Sequence, residues 1–287
     1  MNFLTGIYFL LSTIVFTCIG NALHGQDALS ILEKTYRVVS EVHNLSYTVH
    51  LKERVEGVLS EERTGKVKMT NKPLRVYYFM ISPRFGAELL YNSENYGDNI
   101  YINPNGFPWF TFNVSSDNKW MRKSRHHTIL DAGYAYIKDI LGRYLEKKSP
   151  DHDGLKVTNL GHVRIRENDC IKLSIEKEVF FFKNYTLKEG ESITDYSRKE
   201  GLSDFMILER NRKYNWYDCA KPGETILVPN FYAKKIDFYI DSLTFLPVSL
   251  SIYDDLGLFE EVTFYNIDIK PAFPANAFSV DNPEYGF

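Results

Sequence analysis

His126 and His127 are the residues best suited by type to metal or proton chemistry. Imidazole titrates near neutral pH and is a common zinc ligand. Neighbouring residues on a regular strand point to opposite faces, so one ion rarely takes both. A zinc site also needs further His, Cys or carboxylate ligands at short spacing, and the chain has neither H-E-x-x-H nor a paired C-x-x-C. A structural or surface polar part is therefore expected for this pair. Asp254-Asp255 offers two carboxylates for acid–base work. Gly257 follows closely, and Asp is favoured in such turns because its side chain bonds nearby backbone amides, so a turn is expected. No nucleophile elbow, P-loop or dinucleotide fingerprint is present. With no catalytic constellation, the expectation is a protein that is not an enzyme, with no cofactor and no metal.

Charge narrows the partners further. Lys and Arg number 34 against 37 Asp and Glu, a formal net charge of -3. Nucleic acid needs a basic stripe, so no nucleic-acid partner is expected. A hydrophobic fraction of 44% and an aromatic fraction of 15% are ample for a packed core.

The elements that must position any site begin with an apolar run from Ile7 to Phe16, broken only by Ser12 and Thr13. It is short for a membrane span and reads as a secretory signal, residues 1–22, with small residues at Gly20-Asn21-Ala22 and a second candidate site at Gly25. No Lys or Arg precedes it, which leaves an uncleaved anchor as the alternative. Val15-Phe16-Thr17 before Cys18 is not a typical lipobox. Cys170 and Cys219 remain after cleavage; two free thiols are expected, with a bridge between them as the alternative.

A helix over 28–40 is predicted from Leu29, Leu32, Tyr36 and Val39. Alternation then takes over: Tyr47, Val49, Leu51; Ile171, Leu173, Ile175; Ile236, Phe238, Ile240. Gly97-Asp98 and Asp254-Asp255-Leu256-Gly257 read as hairpin turns. A second helix is predicted over 130–145, with Ile137, Ile140, Leu141 and Tyr144 on one face. Helices are the available cover for the apolar face of such a sheet, which makes the fold α+β.

Residues 185–229 stand apart. Tyr185-Thr186-Leu187 is β-prone and stops at Gly190. Ser192 can cap a helix starting at Ile193, with Asp195 three residues on as in a capping box. Gly201 suits a left-handed helix end, Ser203 a second cap, and Asn211 a second end. Thr225 to Val228 reads as a returning strand that Pro229 stops. This βααβ order, from Tyr185-Thr186-Leu187-Lys188-Glu189-Gly190-Glu191-Ser192-Ile193 to Lys221-Pro222-Gly223-Glu224-Thr225-Ile226-Leu227-Val228-Pro229, resembles a LysM module. The resemblance covers a sixth of the chain. It departs from the family at Glu191-Ser192, at Tyr196 and in the aromatic-rich loop 212–220. It implies binding of peptidoglycan or a related N-acetylglucosamine glycan through Gly190, Glu191, Ser192 and Ile193 and through the loop carrying Asn211, Tyr214, Trp216, Tyr217, Pro222 and Gly223. Seven Lys or Arg and eight Asp or Glu between Asn184 and Pro229 suit an uncharged sugar.

The rest of the chain, residues 23–183 and 231–287 around a module at 184–230, resembles the LolA-like fold. That fold is a curved antiparallel half-barrel sheet with packed helices. The segments Gly86 to Tyr91, Asn103 to Trp109, Arg125 to Ile129 and the tail Phe278 to Phe287 are similar to an uncharacterised bacterial envelope family of that fold. The resemblance implies a periplasmic or cell-envelope location and an interior that holds an acyl chain or a lipoprotein. Phe79, Phe85, Trp109, Phe110 and Phe112 are candidates to line it. The leading expectation is glycan tethering through the module on a LolA-like scaffold. The alternative is a periplasmic lipid or lipoprotein carrier in which the module is only structural.

Overall fold

A computed structural model describes residues 20–116, 118–123, 125–146 and 154–287. The expected signal segment lies outside them, apart from the backbone of its last three residues. No helix among the described residues is long and apolar enough to cross a membrane.

The alternation seen in the sequence builds one large antiparallel sheet. Its strands are β1 (Asn44–Val55), β2 (Val58–Leu59), β3 (Arg63–Asn71), β4 (Leu74–Ser82), β5 (Glu88–Asn92), β6 (Asn99–Asn103) and β7 (Phe112–Ser115). It continues with β8 (Leu155–Ile165), β9 (Asn168–Lys177), β12 (Lys235–Asp241), β13 (Pro247–Asp254) and β14 (Gly257–Asp268), while β10 (Phe182–Thr186) and β11 (Thr225–Pro229) pair separately. The order across the large sheet is β7-β6-β5-β4-β3-β1-β14-β13-β12-β9-β8, with β2 on β1. The chain's first and last long strands, β1 and β14, thus meet at the centre. This is the α+β architecture expected from the sequence, an open curved antiparallel sheet with packed helices.

Register decides which side chains share a face. Tyr47 lies opposite Val67, Val67 opposite Tyr78, and Tyr78 opposite Leu89. Val49 lies opposite Phe264 and Gly65, and Leu51 opposite Val262 and Arg63. Paired residues point the same way, so these rows form one inner face. A Cβ at Gly65 would overlap the Tyr78 ring, so glycine there lets that ring lie across β3.

Two helices cover part of this face. Helix α1 (Gly20–Glu41) buries Ala28, Ile31, Leu32 and Val39. The stretch predicted as one helix over 130–145 is interrupted: α2 (Lys119–Arg122) and a 3₁₀ turn (Ile129–Asp131) come first, and α3 (Ala135–Leu145) follows. Gly133 breaks the run at φ 76°, where an added Cβ would sit 2.5 Å from Met69 Sδ. Its amide donates to the Tyr47 hydroxyl at 2.8 Å. Ile137, Ile140 and Leu141 of α3 are buried as expected. On the outer face, the C-terminal tail lies over β4 and β5, stacking Tyr285 on Tyr77 with ring centroids 3.8 Å apart. Asn92 donates to the Phe278 carbonyl at 3.1 Å.

The small βααβ unit has the caps its sequence calls for. Ser192 and Asp195 form a reciprocal capping box at α4 (Ile193–Glu200), and Gly201 closes it at φ 62°. Ser203 caps α5 (Asp204–Arg210) through the Met206 amide. Helix α5 then joins two cores. Ile207 packs with Ile193, Ile226 and Val228 inside the unit, whereas Phe205 and Met206 belong to the main core. Arg122 pairs with Asp204 at 2.5 Å and lies over the Tyr217 ring at 3.9 Å. Arg143 donates to the Arg198 and Lys199 carbonyls at the C-terminal end of α4. Cys170 and Cys219 are both free, and burial pushes the Cys170 thiol up to about 11.

Because Met206 is fully buried in the main core, Met206→Ala should cost about 2–5 kcal/mol. Urea unfolding followed by fluorescence and circular dichroism should show one transition moved to lower urea. A separate early transition confined to the small unit would contradict this shared core.

Candidate functional site

The polar centre of the molecule grows from two carboxylates on the inner face. Glu53 and Glu260 face each other across β1 and β14, and neither is exposed. A buried carboxylate is costly unless charges and hydrogen bonds answer it. Arg63 pairs with Glu53 Oε2, and the His126 amide donates to Oε1 at 2.9 Å. Glu260 takes both histidines, with His126 Nδ1 at 3.1 Å and His127 Nε2 at 2.9 Å from Oε2. His126 Nε2 donates to the Arg54 carbonyl at 2.8 Å, and the ring stacks on Phe259 with centroids 4.0 Å apart. Adjacent histidines were expected to diverge as on a strand. They converge here because residues 125–128 are irregular backbone.

Glu53, His126 and Glu260 each offer a ligand atom within 4.8 Å of the others. Those atoms already hold protein partners, and Arg63 sets a guanidinium on Glu53. A cation bound there would have to displace these bonds beside a fixed positive charge. The geometry is that of an ion-pair network tying loop 125–128 to the sheet. Asp254-Asp255 is equally engaged. Arg54 grips Asp254 with two hydrogen bonds of 2.9 and 2.5 Å, and Arg210 pairs with Asp255. The turn predicted there is present between β13 and β14.

With the loop so anchored, a cavity of about 130 Å³ remains between it and the sheet. Its floor is Tyr47, Val49, Leu51, Val67, Val76, Tyr78, Leu89, Val262 and Phe264. Its roof is Met121, Ile129, Ala132 and Tyr136. Arg63, Arg125, His127 and Glu260 also line it. By register Arg63 and Glu260 lie toward the Glu53 end of β1; His127 joins them through Glu260, and Arg125 precedes His126, whose amide is bound to Glu53. The Tyr47 end is apolar. The aromatics expected as lining lie elsewhere. Phe85, Trp109 and Phe110 are 70%, 81% and 62% exposed on loops beyond the strand ends, and Phe79 packs with the C-terminal tail. Phe112 is half-buried on β7 and is not part of the lining. Sequence reasoning missed the actual lining because Arg63, Leu89 and Val262 carry no mark beyond strand alternation.

The ten residues expected to touch sugar divide by burial. Ile193, Asn211, Tyr214 and Tyr217 are buried within the small unit. The Asn211 side chain is taken up in donating to the Ile207 and Leu227 carbonyls and accepting from the Leu227 amide. Gly190, Pro222 and Gly223 are exposed, and Glu191, Ser192 and Trp216 are half-buried. A second depression, about 100 Å³, lies between α3 and the unit and includes none of the ten.

The sequence matches the family described as Protein of unknown function (DUF1571) over residues 42–202. The chain belongs to that family. The match takes in β10 and α4. No curated protein matches the sequence. Solved structures similar to this chain include the Mycobacterium tuberculosis lipoprotein LppX, at 12% identity, 86% of this chain, 98% of that chain and a TM-score of 0.41. A LolA superfamily protein from Nitrosomonas europaea has 11% identity, 91% and 99% coverage and a TM-score of 0.32. A putative outer membrane lipoprotein-sorting protein domain from Vibrio parahaemolyticus has 12% identity, 89% and 97% coverage and a TM-score of 0.32. Likenesses of this size assign no activity.

The histidine cluster has a pH signature. Burial alone would lower the His127 pKa, but the Glu260 charge and hydrogen bonds, with Asp131 and Asp204, outweigh it and raise it to about 9. Burial raises Glu260, yet both histidines hold it well below the ordinary carboxylate range. A raised histidine contributes fully below its unfolded value of 6.5 and loses that contribution as pH rises through about 9. A depressed carboxylate contributes above its unfolded value of 4.5 and loses it as pH falls. Between 4.5 and 6.5 the pair therefore stabilises most. Tm should fall from pH 6.5 to 9, and His127→Gln should flatten that slope. An unchanged slope would show that the pair contributes nothing there.

Proposed function

We propose that this protein is a non-catalytic carrier that holds part of an acyl chain on the inner face of its half-barrel. The observation that carries the reading is the cavity of about 130 Å³, apolar along its floor and roof. An engineered apolar cavity of about 150 Å³ accepts benzene, so this one has room for a short length of chain rather than a whole lipid. Each methylene moved from water into it contributes about 0.8 kcal/mol. The ligand would be an acyl group of a membrane lipid or a lipoprotein, and the setting the cell envelope. Leu89 is half-buried, so a larger side chain there fills open space before it strains the core. Leu89→Trp should weaken displacement of a fluorescent fatty-acid probe at least several-fold with little change in Tm. Wild-type affinity in this variant would remove the cavity from consideration.

A second reading concerns the small unit. Its strand-helix-helix-strand order and its capped helices support a LysM-like module that binds an N-acetylglucosamine glycan such as peptidoglycan. Contact would fall to the accessible members of the set, Gly190, Glu191, Ser192, Trp216, Pro222 and Gly223. Deleting residues 185–229 would also remove Phe205 and Met206 from the main core, so a point variant is the better test. Trp216→Ala should reduce sedimentation with peptidoglycan sacculi several-fold while the unfolding midpoint holds. Equal pelleting of variant and wild type would leave the unit a purely structural role.

A further inference from the structure

Arg125 is the cation of the cavity that no described residue pairs with. Arg63 has Glu53, and His127 has Glu260. Arg125 has no hydrogen-bond or ion-pair partner for its guanidinium among the described residues, although it lines the same cavity and is half-buried. Burial holds its pKa below the ordinary value; Tyr78 works against that shift, and Arg84 adds to it. Burial and repulsion from Arg125 hold Arg63 at about 10. Guanidinium groups in proteins stay protonated at neutral pH. Arg63 is already paired with Glu53, so the cation that lacks a partner at this edge of the apolar surface is Arg125, and a ligand anion would supply one. Tyr78, opposite Val67 on the floor, feels both arginines. The guanidinium fork matches carboxylate and phosphate oxygens, and such charged bonds are roughly twice as strong as neutral ones.

We infer that Arg125, assisted by Arg63, is the head-group site of the cavity and selects amphiphiles whose head is an anion, a carboxylate or a phosphate. The tail runs from Leu51 toward Tyr47, and the head remains at the polar end. This rests on the acyl-binding reading and adds the class of ligand to it.

Calorimetric titration of the full chain below the micellar range tests it, using dodecanoate, dodecyl phosphate, dodecanol and inorganic phosphate alone. The anionic amphiphiles should bind at least about tenfold more tightly than dodecanol. The better of the two heads names the source, fatty acid or phospholipid-type phosphate. Arg125→Gln should abolish the advantage and leave dodecanol unchanged, and Arg125→Lys should restore part of it. Equal affinity for all three amphiphiles, unchanged in Arg125→Gln, would overturn the head-group site and leave the cavity reading standing. If dodecanol also fails to bind the wild type, the cavity reading falls with it. Inorganic phosphate binding as tightly as dodecyl phosphate would overturn the two-part site in favour of a free-anion site.

Discussion

Glu260 is a carboxylate with no exposure, placed by register on the inner face of an apolar sheet. Such a group is tolerated only if the chain brings it positive charge and hydrogen donors. His126 and His127 do this from a loop over 130 positions earlier in the sequence. The loop is thereby pinned across the sheet, and its continuation through Ile129, Ala132 and Tyr136 becomes the roof of the cavity. Gly133 completes the path, because its positive φ and its bond to Tyr47 turn the chain into α3. A polar requirement at one end of the half-barrel thus fixes the loop that continues into the roof over its inner face.

The same end of the molecule holds the small βααβ unit. Arg54 joins β1 to the β13–β14 turn through Asp254 and to α5 through Glu209. Phe205 on α5 lies beside His126 and completes the packing around the histidine cluster. The unit is therefore bound into the main domain by charge and by apolar contact, which accords with a family match that extends into it. Phe205 thus brings α5 into contact with the loop that continues into the roof of the cavity.

Local features were legible in the sequence. Alternation at Tyr47, Val49 and Leu51 gave the inner face of β1, and Ser192, Asp195, Gly201 and Ser203 gave both helix boundaries in the small unit. These depend on neighbours within a few residues. What depends on distant partners was not legible. The convergence of His126 and His127 needs Glu260, and nothing near either end of that pairing announces it. Helix α5 shows an apolar stripe in sequence, but not that Phe205 and Met206 serve one core and Ile207 another. Trp109 and Phe110 have the composition of lining residues and lie in exposed loops, since side-chain type alone does not say on which side of a strand end a residue falls. Arg125 was visible only as part of a resembling segment, because a lone arginine gains meaning from the apolar surface beside it.

The central claim is that the half-barrel carries an acyl chain. The most direct measurement is mass spectrometry of an organic extract of protein purified without detergent from its own cell envelope. The account predicts acyl-bearing lipid recovered in near-stoichiometric amount from the wild type and depleted from a variant whose cavity is filled. Protein that is folded yet free of acyl compounds, or equal recovery from the filled variant, would contradict it.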